Sequence, residues 1–398
     1  MNKKLTIALT GALALGMAAP ALADTTFSGF LYLSPTLETP FGSTDDTETF
    51  TVDQRFRFKM INTPSDLVKM TWYAEADNVW GAKEGRLTNV YDADGDKIGT
   101  TKQGGSGWAA DSVNVETKNM FVTIDVPDSP LNMSLGVQRT GDTALFGTFN
   151  SQDVAAAKFN YDMVTAGIIF PGNEEEIYFA QVGYKADAFG INADLYYDDV
   201  QNGDDTTTFG AKVTTSVADI NLAAGLGMQD GDSAAGFMGA LEADATFGPA
   251  GIDFLFAYFQ DDEDGEGWQM LPAQDGPFAN YNLNIFLGSA AFNTNAGDKV
   301  WKNVSTDGLM ITALMASFQA GDYNVALSGG YFQAVDDHTY GESEVGSEFG
   351  LLVKRAFLDG KVITALMANV ATFGDGYAGA DADLEDAHRV AISIITPF

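Results

Sequence analysis

Three cations at alternate positions, Arg55, Arg57 and Lys59, have the spacing that most clearly predicts a chemical role in this chain. In a β-strand such residues lie on one face, about 7 Å apart. The other face of this stretch is apolar and comprises Phe50, Val52, Phe56, Phe58 and Met60. A row of cations that faced carboxylates across a water-filled passage would sort ions by charge. Alternatively, the cations pair with acids of the same and neighbouring strands and hold the strands in register. The acids available for such pairing are Asp53, Glu75 and Asp77.

A second set of acids has the spacing of metal ligands. Asp92, Asp94 and Asp96 alternate as the oxygen ligands of a calcium-binding loop do. Gly95 precedes the third acid instead of following it, and Gln103 occupies the twelfth position, where such loops carry a bidentate Glu. Both departures favour an acidic surface turn over a calcium site. No cofactor is implied, although divalent cations could bridge acidic loops to each other or to phosphorylated lipid.

The composition gives little support for catalysis. The chain has two histidines, His338 in a predicted loop and His388 on the apolar face of the last predicted strand. It has no G-x-S-x-G motif, and a Ser-His-acid hydrolase needs a histidine base oriented beside its nucleophile. We therefore expect no enzymatic activity.

The overall charge excludes one class of partner. The chain contains 21 Lys and Arg residues against 55 Asp and Glu residues, which gives a formal net charge of −34. Nucleic-acid binding needs basic surface, so we expect no nucleic-acid partner. Cysteine is absent, so disulfides cannot stabilise the chain, and its stability must come from hydrogen-bonded sheet or a large core.

The first 23 residues have the pattern of a cleaved secretory signal peptide. Lys3 and Lys4 precede an apolar run over residues 5–17, and Ala21-Leu-Ala23 supplies a cleavage site. No linker or change of pattern interrupts residues 24–398, so we expect them to form one domain. No later window has the roughly 18 uninterrupted apolar residues of a spanning helix. Within a membrane the chain could therefore only be a closed barrel.

Alternation of apolar and polar residues recurs along the whole chain, and no segment has a convincing helical period. Short turns alternate with longer polar loops, which is typical of membrane-spanning barrels. We predict an all-β fold, a transmembrane antiparallel β-barrel with short periplasmic turns and long extracellular loops. Eighteen strands are favoured, provided that residues 157–170 are divided near Tyr161-Asp-Met163. Without that division, or with residues 281–287 assigned differently, a count of 16 can be reached.

The C-terminal stretch is amphipathic as well. Its apolar parity comprises Val390, Ile392, Ile394 and Phe398. A last strand that ends on a terminal Phe resembles the assembly signal of bacterial outer-membrane barrels. With the signal peptide and the alternation, the mature chain resembles the general diffusion porins of the Gram-negative outer membrane. The resemblance implies passive diffusion of small hydrophilic solutes, a homotrimer, contacts with outer-membrane lipid and lipopolysaccharide, and Phe398 as the signal to the barrel-assembly machinery.

The resemblance also implies a constriction. In general porins the third long loop folds into the barrel and narrows it. Residues 141–153 correspond to that loop by position and contain Leu145-Phe-Gly-Thr-Phe149. Asp142 and Asp153 would then face the three cations across the passage. The alternative is an ordinary surface loop.

Two other functions remain open. One is a substrate-specific outer-membrane channel, and the other is a secreted, non-membrane all-β binding or surface-layer protein. They differ in the position of the apolar rows, which face lipid in a channel and a second layer of protein in a soluble fold.

Overall fold

A closed, 18-stranded antiparallel sheet forms the body of the protein. The computed structural model describes residues 24–39, 48–80, 86–91, 97–103, 114–172, 175–200, 205–231, 234–262, 266–269, 278, 281–283, 285–287, 304–336, 343–374 and 386–398. The first and last strands pair with each other, which closes the sheet into a barrel. The predicted all-β barrel of 18 strands is confirmed. The predicted signal peptide, residues 1–23, lies outside the described residues.

The strands, numbered in chain order, are β1 (Asp24–Glu38), β2 (Thr49–Ser65), β3 (Val68–Trp80), β4 (Arg86–Tyr91), β5 (Lys97–Gln103), β6 (Asn114–Asp125), β7 (Leu131–Gly141), β8 (Asn150–Tyr161), β9 (Val164–Gly172), β10 (Glu175–Lys185), β11 (Phe189–Val200), β12 (Thr206–Val217), β13 (Ile220–Gly231), β14 (Phe237–Phe247), β15 (Ala250–Phe259), β16 (Leu309–Ala320), β17 (Tyr323–Gln333), β18 (Glu344–Phe357), β19 (Val362–Phe373) and β20 (Ala387–Pro397). Strands β4 and β5 pair as a separate hairpin between β3 and β6, which the sequence did not predict. A short helix, α1 (Val304–Asp307), precedes β16. Within the described residues, no helix is long and apolar enough to cross a membrane.

The strand count depends on one turn. Strand β8 ends at Tyr161, Asp162 and Met163 form the turn, and β9 begins at Val164. Asp162 has a φ of 55°, the left-handed conformation that Asp tolerates in tight turns. The division that the sequence required for 18 strands is therefore confirmed, and it keeps the short turns at one end of the barrel.

In the 18 strands of the barrel, the apolar parity points outward, and no second layer of protein covers it among the described residues. Phe50 and Phe349 are both 66% exposed, and Leu226 is 63% exposed. Side chains of the other parity point into the barrel, where the buried polar residues include Ser34, Asp194 and Glu348. This arrangement is the reverse of a soluble sandwich, in which the apolar rows would be buried between sheets.

Both chain ends meet at the short-turn end of the barrel. The backbone N–H of Phe398 donates to the carbonyl of Gly29 at 3.0 Å, and the N–H of Gly29 donates to the carbonyl of Phe398 at 3.1 Å. The Phe398 ring stacks on Phe56 with centroids 5.8 Å apart. The terminal residue thus belongs to the seam that closes the barrel.

Candidate functional site: the barrel lumen

The predicted row of cations lies on the inner face of β2, opposite acids of β3. Arg55 forms a bidentate pair with Asp77, with Nε to Oδ1 at 2.9 Å and Nη2 to Oδ2 at 2.7 Å. Its Nε also lies 3.1 Å from a carboxylate oxygen of Glu75. Arg57 pairs with Glu75 as well. This pairing follows from the register, which sets Arg55 opposite Asp77 and Arg57 opposite Glu75.

Strand β6 extends this network. Lys118 Nζ lies 3.3 Å from Glu75 and 2.9 Å from Glu116. Three cations and three carboxylates are thus assembled on neighbouring strands, and the charges compensate one another. Glu75, Asp77 and Glu116 lie close enough together to be considered as metal ligands. The cations among them already supply the positive charge that an ion would bring.

Lys59, the third cation of the row, lies outside this network and lines a cavity of about 840 Å³. Two more cations, Arg139 and Lys158, line the same cavity, and Lys158 Nζ donates to the carbonyl of Arg139 at 2.8 Å. The aromatic rings of its lining belong to Phe30, Tyr73, Phe121 and Phe179, whereas the ring of Phe398 stacks on Phe56 at the outer face. No Asp or Glu side chain belongs to the described lining. In a chain with 55 acids, this part of the lumen is locally cationic.

Asp142 faces its own loop and not the cations. Its Oδ1 accepts the N–H groups of Leu145 at 2.9 Å and Gly147 at 3.1 Å, and its Oδ2 accepts that of Phe149 at 2.8 Å. Burial raises the pKa of Asp142 above the ordinary carboxyl value, although these N–H donors act in the opposite direction. Asp153 belongs to β8, but its side chain lies outside the described part of the structure, as do Asp92, Asp94 and Asp96.

The loop that Asp142 organises lies against the inner wall of the barrel. Asp194 on β11 accepts the N–H of Thr143 at 2.6 Å, the Thr143 hydroxyl at 2.6 Å and the N–H of Ala144 at 2.7 Å. Leu145 packs on the wall where β12 and β13 carry Gly210 and Gly227. The glycines lack the side chains that would otherwise occupy this position. We call residues 142–149 the first infolded segment.

A second infolded segment, the described residues of 278–287, is held on the wall in the same way. Glu348 accepts the N–H of Ile285 at 3.1 Å and that of Phe286 at 2.9 Å. The Asn369 side-chain amide donates to Glu348 at 2.7 Å and to the carbonyl of Asn282 at 2.8 Å. Glu348 is 0% exposed. A buried carboxylate is tolerated only when its lone pairs are satisfied, and here backbone donors of the segment satisfy them.

A third contact joins β13 to the chain after β15. The Gln229 side-chain amide donates to the carbonyl of Gln269 at 2.9 Å and accepts its N–H at 2.7 Å. Trp268, next to it, is fully buried and belongs to a hydrophobic cluster inside the barrel. The infolded chain therefore fills part of the lumen with a dry core, which leaves the cationic cavity beside it.

Comparison with solved structures identifies the architecture. No known family profile and no curated protein sequence matches the chain. The outer membrane protein OpdK from Pseudomonas aeruginosa is similar over 94% of this chain and 98% of its own, with a TM-score of 0.60 and 9% identity. OccAB1 from Acinetobacter baumannii is similar over 94% and 96%, with a TM-score of 0.59 and 10% identity. OpdK with vanillate gives a TM-score of 0.57 and 11% identity over 94% and 98%. The fold is that of an outer-membrane barrel.

Acids of this outer-membrane barrel lie on the arc opposite the cationic cavity. Glu242 and Asp244 on β14 and Asp253 on β15 belong to the inner parity. Strand β15 is nine strands from β6 in the ring of 18, which is half-way round. Tyr281 of the second infolded segment lies near them, and burial, followed by the charge of Glu242, raises its pKa. The lumen wall itself thus supplies the separation of charge that the sequence assigned to Asp142 and Asp153.

The residues that hold the infolded segments were not found from the sequence. Asp194, Gln229, Glu348 and Asn369 each look like ordinary polar residues of a water-facing parity. The sequence did carry one signal. Glycines lie near such residues on the same face of the strand, as Gly346 and Gly350 do on either side of Glu348. Glycine on a strand often marks a close approach of another chain segment.

Proposed function

We propose that this protein forms a water-filled channel in the outer membrane of a Gram-negative bacterium, through which small hydrophilic solutes diffuse passively. The observation that carries this proposal is the inversion of the barrel. Large apolar side chains cover the outside, while ion pairs and amides line the inside. That distribution of side chains stabilises only a barrel that is surrounded by hydrocarbon and filled with water.

The cationic cavity supports a more specific function for the same channel, namely selection among solutes. Lys59, Arg139 and Lys158 attract anions, and the aromatic lining offers contact to an apolar or planar solute body. One structure of similar fold, OpdK, was solved with vanillate. We infer a preference for small organic anions over neutral solutes of the same size, which is the substrate-selective alternative that the sequence left open.

Swelling of liposomes that contain the purified protein tests both statements. Uptake of small neutral sugars above protein-free liposomes supports a passive channel, and no uptake contradicts it. Faster uptake of a small carboxylate than of a neutral solute of equal size supports the anion preference. The variant Lys59→Gln/Lys158→Gln should abolish that difference, whereas Lys361→Gln, in a short turn outside the cavity, should retain it.

The partners follow from the same proposal. The exposed outer face suits outer-membrane lipid and lipopolysaccharide. Phe398, paired at the closing seam, is in a suitable position for recognition by the barrel-assembly machinery before the barrel closes. The homotrimer stays a prediction from the resemblance to general porins.

A further inference from the structure

Two phenylalanines of the lumen have backbones that L-residues rarely adopt. Phe146, in the first infolded segment, has a φ of 59°, and Phe278, in the second, has a φ of 65°. For a bulky residue the left-handed region is a true outlier and is energetically unfavourable. Such conformations persist only where the surroundings enforce them, and they concentrate at functional positions.

The surroundings of Phe146 enforce its conformation from both sides. Asp142 accepts the N–H of Leu145, just before it, and that of Gly147, just after it. Gly147 follows with a φ of 87°. Asp194 fixes the beginning of the same segment through Ala144. The backbone is thus held at Phe146 by two buried or half-buried carboxylates.

In this conformation Phe146 is less buried than its neighbours in the segment. Leu145 and Phe149 are 0% and 1% exposed and belong to the hydrophobic cluster, whereas the Phe146 ring is only partly buried and packs on the margin of that cluster. Its ring lies over Lys212, whose Nζ is 4.9 Å from the ring centroid. It also covers Gly225 on the wall, where an added Cβ would lie 2.7 Å from the ring.

The Phe146 ring also contacts the other infolded segment. Its centroid is 6.3 Å from that of Phe278, with the rings inclined at 41°. Phe278 itself is 6% exposed. The two strained residues therefore meet each other, one from each segment, at the margin of the hydrophobic cluster.

We propose that Phe146 is the residue that sets the aperture of the channel, and that its contact with Phe278 joins the two infolded segments into one constriction. The proposal rests on the proposed channel function. It explains why both backbones are held in an unfavourable conformation, because a rigid aperture requires a ring that keeps one position. Lys212, whose Nζ lies 4.9 Å from the ring centroid, places a positive charge at this aperture.

The variant Phe146→Gly tests the aperture without disturbing the backbone, because Gly adopts positive φ at no steric cost. We expect its single-channel conductance to rise about twofold, since the narrowest section controls conduction. We also expect sugars too large for the wild type to enter liposomes. Phe146→Asn, which tolerates the same backbone, should give a smaller rise. The control is Phe209→Ala, which removes a ring from the lipid-facing side of the same wall and should conduct as the wild type does.

Joining of the segments is tested by Phe278→Gly and by the double variant. If the segments form one unit, Phe278→Gly raises the conductance too, and the double variant conducts about as well as Phe146→Gly alone. If the increases in conductance of the two single variants add up in the double variant, the two segments are not coupled. If Phe146→Gly conducts as the wild type does and shows only more current noise or lower thermal stability, Phe146 does not set the aperture. A wild-type protein that conducts no current would instead refute the channel function itself.

Discussion

The carboxylate of Asp194 accepts the backbone N–H of Ala144 at 2.7 Å, although 50 residues separate the two along the chain. This bond ties the first infolded segment to the middle of a barrel strand. Asp194 is 1% exposed, so the carboxylate and the N–H groups are satisfied by each other and not by water. The constriction therefore depends on side chains of the wall as much as on the infolded chain.

We expect Asp194→Asn to release the first infolded segment while the barrel stays folded. The amide oxygen can still accept the two N–H groups, but it lacks the negative charge, and a hydrogen bond to a charged group contributes about 1.5–3 kcal/mol against about 0.5–1.5 kcal/mol for a neutral one. The chain has no cysteine, so Thr148→Cys, at a buried position, introduces a single label site. Its reaction with a thiol reagent should accelerate about tenfold or more in the Asp194→Asn background. Asp199→Asn, on the outer parity of the same strand, should leave the rate unchanged. Equal rates in all three would mean that Asp194 does not hold the segment.

Glu348 should hold the second segment in the same way. Glu348→Gln keeps the size of the side chain but replaces one acceptor with a donor, which opposes the N–H groups of Ile285 and Phe286. A cysteine at Leu287, which is 0% exposed, should then react faster, while a cysteine at Thr148 should not if the two anchors act separately. Reaction of both sites would instead favour release of the two segments together, through the contact between Phe146 and Phe278.

The glycine positions of the wall give a steric prediction. A Cβ at Gly227 would lie 2.7 Å from both Leu145 and Trp268, and 2.8 Å from Met238. Gly227→Val should displace the first infolded segment and raise the conductance. Gly239→Val, on the outer parity of the next strand, serves as the control, because a Cβ there would meet Leu226 at 3.4 Å and the carbonyl of Gly225 at 4.0 Å, both ordinary contacts. An unchanged conductance in Gly227→Val would show that the segment does not narrow the path.

The sequence was sufficient to predict the barrel because the alternation of apolar and polar residues is a local pattern that repeats from strand to strand. It predicted the division at Tyr161–Met163 and the inward face of Arg55, Arg57 and Lys59. It did not predict Asp194 or Glu348, because each holds a segment more than 40 residues distant and resembles a water-facing residue of its strand. The sequence did not predict that Asp142 turns to its own loop or that Glu242 and Asp253 form an acidic part of the wall, and the role of Asp153 stays a prediction.

The ion-pair network on β2, β3 and β6 should influence ion selectivity. Arg55→Gln/Arg57→Gln leaves Glu75 and Asp77 in excess, so the reversal potential in a salt gradient should move toward stronger cation preference. Glu75→Gln should move it the other way, because Lys118 and both arginines remain. The two shifts of opposite sign exclude a general loss of structure. If neither variant shifts the potential, the network only holds the strands in register.

The pH dependence of the first infolded segment follows from Asp142. Burial raises its pKa, so the folded state binds a proton at higher pH than the unfolded chain does. The stability from this group is fully present below the unfolded pKa and is lost as pH rises through the folded pKa. We therefore expect the segment to stay in place when the solution is acidified from neutral to mildly acidic pH. Labelling of Thr148→Cys, corrected for the reagent's own pH dependence, should not accelerate. Acceleration on acidification would mean that protonation of Asp142 loosens the segment, which contradicts the raised pKa.

Conductance of the purified protein in a planar lipid bilayer tests the central claim most directly, namely that the apolar rows face hydrocarbon and the polar rows enclose water. We predict discrete upward steps of current in the wild type, larger steps in Phe146→Gly, and none from detergent alone. Protein that remains in the aqueous phase, or that inserts into the bilayer without any current step, would contradict a water-filled lumen.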